Sequence, residues 1–230
     1  MSQYAWCEDS KSGLEFWKAI FKVINPKIIV ETKNNNTNLR KSVDKISDDG
    51  NEYYILMDNA IDNPDVLREV KKLKECIAAK HNVYLIKIHS FEFSLLSFKF
   101  LEEWVFAEKD ELKDKRRNLL DARKTFIDIV LNGGDATLLA KLKADLDFSE
   151  NKNTEQISAK LLTGITLNTG FETDKKKLGT CFINNCCEWV ERQMDDICGL
   201  DDERIQADEK VKQIVKNSVL KDVFQMEANK

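Results

Sequence analysis

The chain has 230 residues, 42% hydrophobic and 33% charged, with 8 glycines and only 2 prolines. That composition excludes a disordered, collagen-like or many-turned all-β protein and leaves material for one large domain or two small ones. Lys+Arg 36 against Asp+Glu 40 gives a formal net charge of −4, a poor match for salt-driven, non-specific coating of DNA.

Tyr4 to Cys7 is a short apolar run at the start. Leu14, Trp17, Ile20, Phe21 and Ile24 then recur at helical spacing, which predicts a helix over 13–24 that Pro26 ends. Lys27 to Glu31 is a second, β-branched run, and Leu39, Val43 and Ile46 suggest a short helix before the turn Asp48-Asp-Gly-Asn51. Tyr53 to Met57 is a third strand, apolar throughout, as expected of a sheet covered on both faces. Asn63-Pro64 opens a helix with the stripe Val66, Leu67, Val70, Leu73 and Ile77, and Val83 to Ile88 is a fourth strand. Strands alternating with helices in this way predict right-handed βαβ crossovers, hence an α/β fold with a parallel four-stranded sheet between helices.

From about Phe91 the strand signals stop. Helical periodicity runs through 92–107, 111–131, 135–147 and 154–163, and again through 182–198 and 204–224, with Asn132-Gly-Gly134 and Gly199 as stops. The expected organisation is an α/β domain over 1–98 and an all-helical C-terminal extension over 99–230, either a separate unit or a cap on the sheet. Met1 to Ser10 lacks the basic and apolar regions of a signal peptide, and the stretch from Phe91 to Ala107 is broken by Glu92, Lys99, Glu102 and Glu103, so no membrane span is expected. These features point to a cytoplasmic protein with reduced cysteines.

Ligands of open α/β sheets sit beyond the carboxyl ends of the strands, and acidic residues stand there in this chain. Glu8 and Asp9 follow the first run, Glu31 the second, Asp58 and Asp62 the third, and Glu92 comes soon after the fourth with His89 and Ser90 before it. Clustered carboxylates suit hard divalent cations, and such ions stabilise attacking and leaving oxygens in phosphodiester chemistry. Each acid has a plainer reading too: Glu8 and Asp9 favour a helix N-terminus, Glu31 is a solvated strand-end residue, Asp58 a turn aspartate, Asp62 a helix cap and Glu92 an exposed first-turn glutamate.

Trp6-Cys-Glu8-Asp-Ser-Lys-Ser-Gly13 and Ile55-Leu-Met-Asp58-Asn-Ala-Ile-Asp62 resemble the glutamate and aspartate motifs of the Toprim domain, and Ser90-Phe-Glu92-Phe-Ser-Leu-Leu96 is similar to the acidic-then-apolar segment of OLD-like defence proteins. The resemblance covers about residues 1–98. It implies a metal-dependent nuclease acting on DNA or RNA, in bacterial anti-phage defence, with Mg2+ or Mn2+ held by Glu8, Asp58, Asp62 and Glu92. Glu8 and Asp58 would be the catalytic pair, Glu8 as general base or metal ligand. Two positions depart from the family pattern: Ala60 replaces a middle acid, and Asp9 stands where a glycine is usual. These departures keep a second reading open, a non-catalytic Toprim-like module acting with a partner such as an ATPase or with further copies of itself.

Three other features carry less. Cys181, Cys186 and Cys187, with Cys198 beyond them, lack paired Cys-x-x-Cys spacing and read as small apolar residues packing a helix. Lys109 to Lys124 could face phosphates but is interleaved with Asp110, Glu111, Asp114 and Asp121, which favours a solvated mixed-charge helix. No glycine-rich phosphate loop is present, which disfavours an ATPase in this chain itself.

Overall fold

The structure, a computed structural model, describes residues 1–174, 177–186, 198–200 and 204–225. In chain order the first part is β1 (Gln3–Cys7), α1 (Lys11–Ile24), β2 (Ile28–Thr32), α2 (Asn36–Asp44), β3 (Glu52–Asp58), α3 (Pro64–Ile77) and β4 (Val83–Ile88). The helices of the second part are α4 (Phe91–Leu96), α5 (Leu101–Val105), α6 (Glu111–Lys115), α7 (Arg117–Leu131), α8 (Ala136–Asp145), α9 (Thr154–Thr166), α10 (Thr180–Ile183), α11 (Ala207–Lys216) and α12 (Leu220–Gln225). The protein is thus α/β, with one all-parallel four-stranded sheet in the order β2-β1-β3-β4.

Alternation along each strand divides its side chains between two cores. Ala5 and Cys7 of β1, Leu56 of β3, and Ile86 and Ile88 of β4 join one core, while Tyr53, Ile55 and Met57 of β3 and Val83 of β4 join the other. α1 covers the first face with Phe16, Trp17, Ile20 and Phe21, all buried. Burying a large side chain of this kind stabilises by roughly 1.5–3 kcal/mol, enough to seat the helix. α2 and α3 cover the second face through Leu39, Val43, Val66, Val70 and Leu73. Asn63 caps α3 by accepting from Asp65 N–H and Val66 N–H, with Pro64 at its first position. Leu67, expected in the buried stripe, is 42% exposed.

This wiring has one consequence for ligands. β1 and β3 are neighbours, yet the chain leaves β1 toward the α1 face and β3 toward the α3 face. The loops diverge at the carboxyl ends of these two strands, the position where open α/β sheets bind ligands.

The helical part packs onto the α1 face. Ala5, Leu56 and Ile86 of the sheet share one continuous core with Phe126, Leu161 and Ile214 of the helices, so the packing does not divide at residue 98. Three of the long periodic stretches, 92–107, 111–131 and 204–224, are interrupted. Between α4 and α5 the Arg123 guanidinium donates to the Leu96 and Phe98 carbonyls at 2.6 and 2.7 Å, and Lys99 N–H donates to the Asn217 carbonyl at 2.8 Å. Between α6 and α7, Arg116 donates to the carbonyls of Ile165 and Leu167 at the end of α9. Around 97–100 tertiary partners thus meet the backbone groups left over where α4 ends, while at 116 the backbone bonds stay local and the Arg116 side chain serves the end of α9.

α7 stops as expected at Asn132-Gly-Gly134. Gly133 N–H reaches the Val130 carbonyl and Gly134 N–H the Ile129 carbonyl, the two bonds of a Schellman end, with both glycines at positive φ. Most of the expected helix over 182–198, including Cys187, lies outside the described residues. Among the described residues no helix is long and apolar enough to cross a membrane.

Candidate active site at the carboxyl edge of the sheet

The ends of β1 and β3 are tied directly. Glu8 follows β1, and its Oε1 accepts the Asp58 N–H at 2.6 Å. Asp58, the last residue of β3, pairs with Ile88 of β4 and is only 6% exposed. Its Oδ1 is buried without a hydrogen-bond partner. A buried carboxylate oxygen left so is costly unless a proton or a cation meets it.

Asp9 folds back over the first turn of α1, where its Oδ2 accepts the Trp17 indole N–H at 2.8 Å. Gly13 makes room for it, because a Cβ there would fall inside the Asp9 carboxyl group. Glu92 is carried by the first turn of α4, which Ser90 starts by accepting Phe93 N–H at 3.1 Å. Among the described residues, Glu8, Asp9, Asp58 and Glu92 make no ion pair with a lysine or arginine.

The electrostatics follow from this company. Burial first, then the neighbouring Asp9 and Glu155 charges, pushes Glu8 up to about 8 against the opposing Asp58 N–H bond. Burial does most of the same for Glu92, also raised to about 8. Asp9 rises to about 6, burial being checked by its bond to Trp17. Asp58 lies well above the usual carboxylate range, through burial and then the charges of Asp9, Glu8, Glu92 and Glu155. At neutral pH the cluster therefore holds protons that exposed acids would have released. Cys7 is likewise pushed up to about 12, chiefly by burial, so it stays a thiol.

Of the expected site residues, Glu8 meets Asp58 through its backbone N–H, and the Glu92 charge bears on Asp58. Asp62 is engaged elsewhere, its Oδ1 accepting both the N–H and the hydroxyl of Thr154, at 2.8 and 2.9 Å, at the start of α9. Glu31 stays inside β2 opposite Trp6 and pairs with Lys33 at 2.8 Å. His89 is kept neutral by burial, its ring packed edge-on to Phe93 and its carbonyl accepting Asn59 N–H. Ala60 is buried among apolar side chains of the α3-face core.

Two members of the cluster are absent from the expected set. Asp9 reads in sequence as a helix-dipole residue. Glu155 comes from the helical half, and the only local signal is the capping box Asn153 to Gln156 that starts α9. Among the described residues no three histidine, cysteine or acidic side chains stand in metal-holding geometry. Comparison with protein-family models, curated proteins and solved structures finds no match for the chain.

Proposed function

We propose that the carboxyl edge is a divalent-cation site for phosphodiester hydrolysis in a Toprim-like nuclease, with DNA or RNA as substrate and bacterial anti-phage defence as its setting. One observation carries the reading: the buried, unpartnered Asp58 Oδ1 stands near Glu8, Asp9 and Glu92, which no lysine or arginine among the described residues neutralises. Oxygen donors at an acidic edge suit Mg2+ or Mn2+, so the donor chemistry fits. The nuclease and defence assignments rest on the motif resemblance around Glu8, Asp58 and Glu92.

Asp58 and Glu92 would hold the cation together with Glu8. When bound, Mg2+ or Mn2+ supplies positive charge for the attacking and leaving oxygens. Glu8 spends Oε1 on the Asp58 N–H, which fixes its carboxyl group at that edge. Its proton affinity, raised to about 8 in the metal-free cluster, would fall beside a bound cation, freeing the carboxylate to accept a proton from water. Asp9, held by Trp17, adds negative charge beside it without leaving the helix start.

The test is cleavage of single- and double-stranded DNA and RNA in MgCl2 or MnCl2. Glu8→Gln and Asp58→Asn should each abolish cation-dependent cleavage while circular dichroism and melting stay native. Full cleavage by both variants overturns the reading. The burial of Ala60 favours a second reading, a non-catalytic module acting with an ATPase or another copy, because that position offers no ligand. Calorimetric titration showing no Mg2+ or Mn2+ binding would select it.

A further inference from the structure

We propose that the outer edge of β2 is a docking surface for a second copy of this chain, the two β2 strands pairing antiparallel about Ile29 so that one sheet runs through the dimer. The inference stands apart from the cation reading and uses none of its residues.

The edge follows from the strand order. β2 ends the sheet and, among the described residues, pairs only with β1. Lys33 N–H donates to the Cys7 carbonyl at 2.7 Å. Counting back along the ladder, Glu31 and Ile29 also turn their backbone groups toward β1, so Val30 and Thr32 turn theirs outward. A row of unpaired backbone groups is a template for another strand unless side chains guard it. The guard here is weak. Lys33, just past the strand, is drawn inward, its Nζ 3.8 Å from the Trp6 ring centroid and 2.8 Å from Glu31. Ile29, beside Tyr4 in the register, is 47% exposed, and no other large apolar strand residue is as open among the described residues.

Charge selects the occupant and the register. Lys27, Ile29 and Glu31 follow one another at strand spacing, and Lys27 is exposed with no ion pair among the described residues. A two-fold axis at Ile29 sets Ile29 against Ile29 of the second copy and each Lys27 against the Glu31 of the other chain. Glu31 gives Lys33 only its Oε2, which leaves Oε1 for that lysine. The stripe is therefore its own complement in charge and in apolar surface, as an isologous contact requires. An axis at Val30 would instead set Ile29 against a carboxylate and Lys27 against Lys33, a like-charge pair. Because the backbone groups of Ile29 serve β1, the central pair is a non-hydrogen-bonded one, in which side chains approach most closely.

Sedimentation velocity of the full chain in EDTA, over a wide range of protein concentration, tests the surface. The wild type should show a reversible monomer–dimer equilibrium. Lys27→Glu and Glu31→Lys each make both cross-strand charge pairs repulsive and should raise the dimer dissociation constant about tenfold or more. The double variant restores opposite charges with their sides exchanged and should return to within a few-fold of the wild type. Circular dichroism of all three should stay native, because both side chains reach solvent. A wild type that remains monomeric throughout overturns the proposal. So does a dimer indifferent to both single swaps, which meets through another surface, and so does a double variant no tighter than the singles. None of these outcomes bears on cation binding.

Discussion

The carboxyl edge and the basic stretch from Lys109 to Lys124 resolve their charge in opposite ways. In the basic stretch each cation that reaches the interior finds oxygen: Arg123 caps α4 through the Leu96 and Phe98 carbonyls, and Arg116 caps α9 through those of Ile165 and Leu167. Its outer cations face acids, with Lys113 on Glu102, Arg117 on Asp114 and Lys124 on Asp121. Such surface pairs contribute little to stability. At the carboxyl edge, buried Asp58 and half-buried Glu8, Asp9 and Glu92 have no such partner among the described residues, and their proton affinities rise in consequence. A charge that structure has already answered is scaffold. One left unanswered at a topological switch point is where a ligand has work to do.

The contrast breaks most visibly at Arg123. Arg123→Met keeps the bulk but leaves the Leu96 carbonyl without its donor in a buried setting, and should cost about 3 kcal/mol in urea unfolding. Lys124→Ala, one residue on and outward-facing, should leave the midpoint unchanged. Equal effects would mean that the two cations are not differently used.

The acidic edge should show the converse in metal-free protein. Glu8 and Glu92 titrate near 8 in the fold instead of near 4.5. The folded state therefore keeps protons that the unfolded state has lost, and stability falls as pH rises from about 4.5 through 8. His89, whose affinity burial lowers, works in the opposite sense around its ordinary range. The acids should dominate, with melting in EDTA at least about 5 °C higher at pH 5 than at pH 8.5, the shift that about 2 kcal/mol gives a chain of this size. A flat profile would show that the cluster is solvated after all.

Much of the sheet half was legible because its signals are local. Runs such as Tyr53 to Met57 and the Asn63-Pro64 start need no partner to be read, and Glu8 and Asp58 follow from where those runs stop. Strand order was not legible, since nothing local says that β1 sits beside β3. The break at 97–100 was hidden because the apolar periodicity continues through it, and the groups that meet its backbone, Arg123 and Asn217, are distant in sequence. Glu155 escaped for the same reason. Its capping box announces a helix start, but only the Asp62–Thr154 bond, between residues 92 apart, says what that start faces.

The smallest effect gives the sharpest sign test of the crowding at the acidic edge. Gly13 lies in the first turn of α1, where alanine is the better helix former by about 1 kcal/mol. Propensity alone therefore makes Gly13→Ala stabilising. The fold makes it destabilising, because the added Cβ would occupy the space of the Asp9 carboxyl group, whose other oxygen holds Trp17. Displacing that group should cost about 1–2 kcal/mol net, read by urea unfolding, with a change in Trp17 fluorescence. In an Asp9→Ala background the obstacle is gone, so the same substitution should recover its helical gain and reverse sign. Two single changes that merely add would place Asp9 away from Gly13 and undo the packing assigned to the acidic edge.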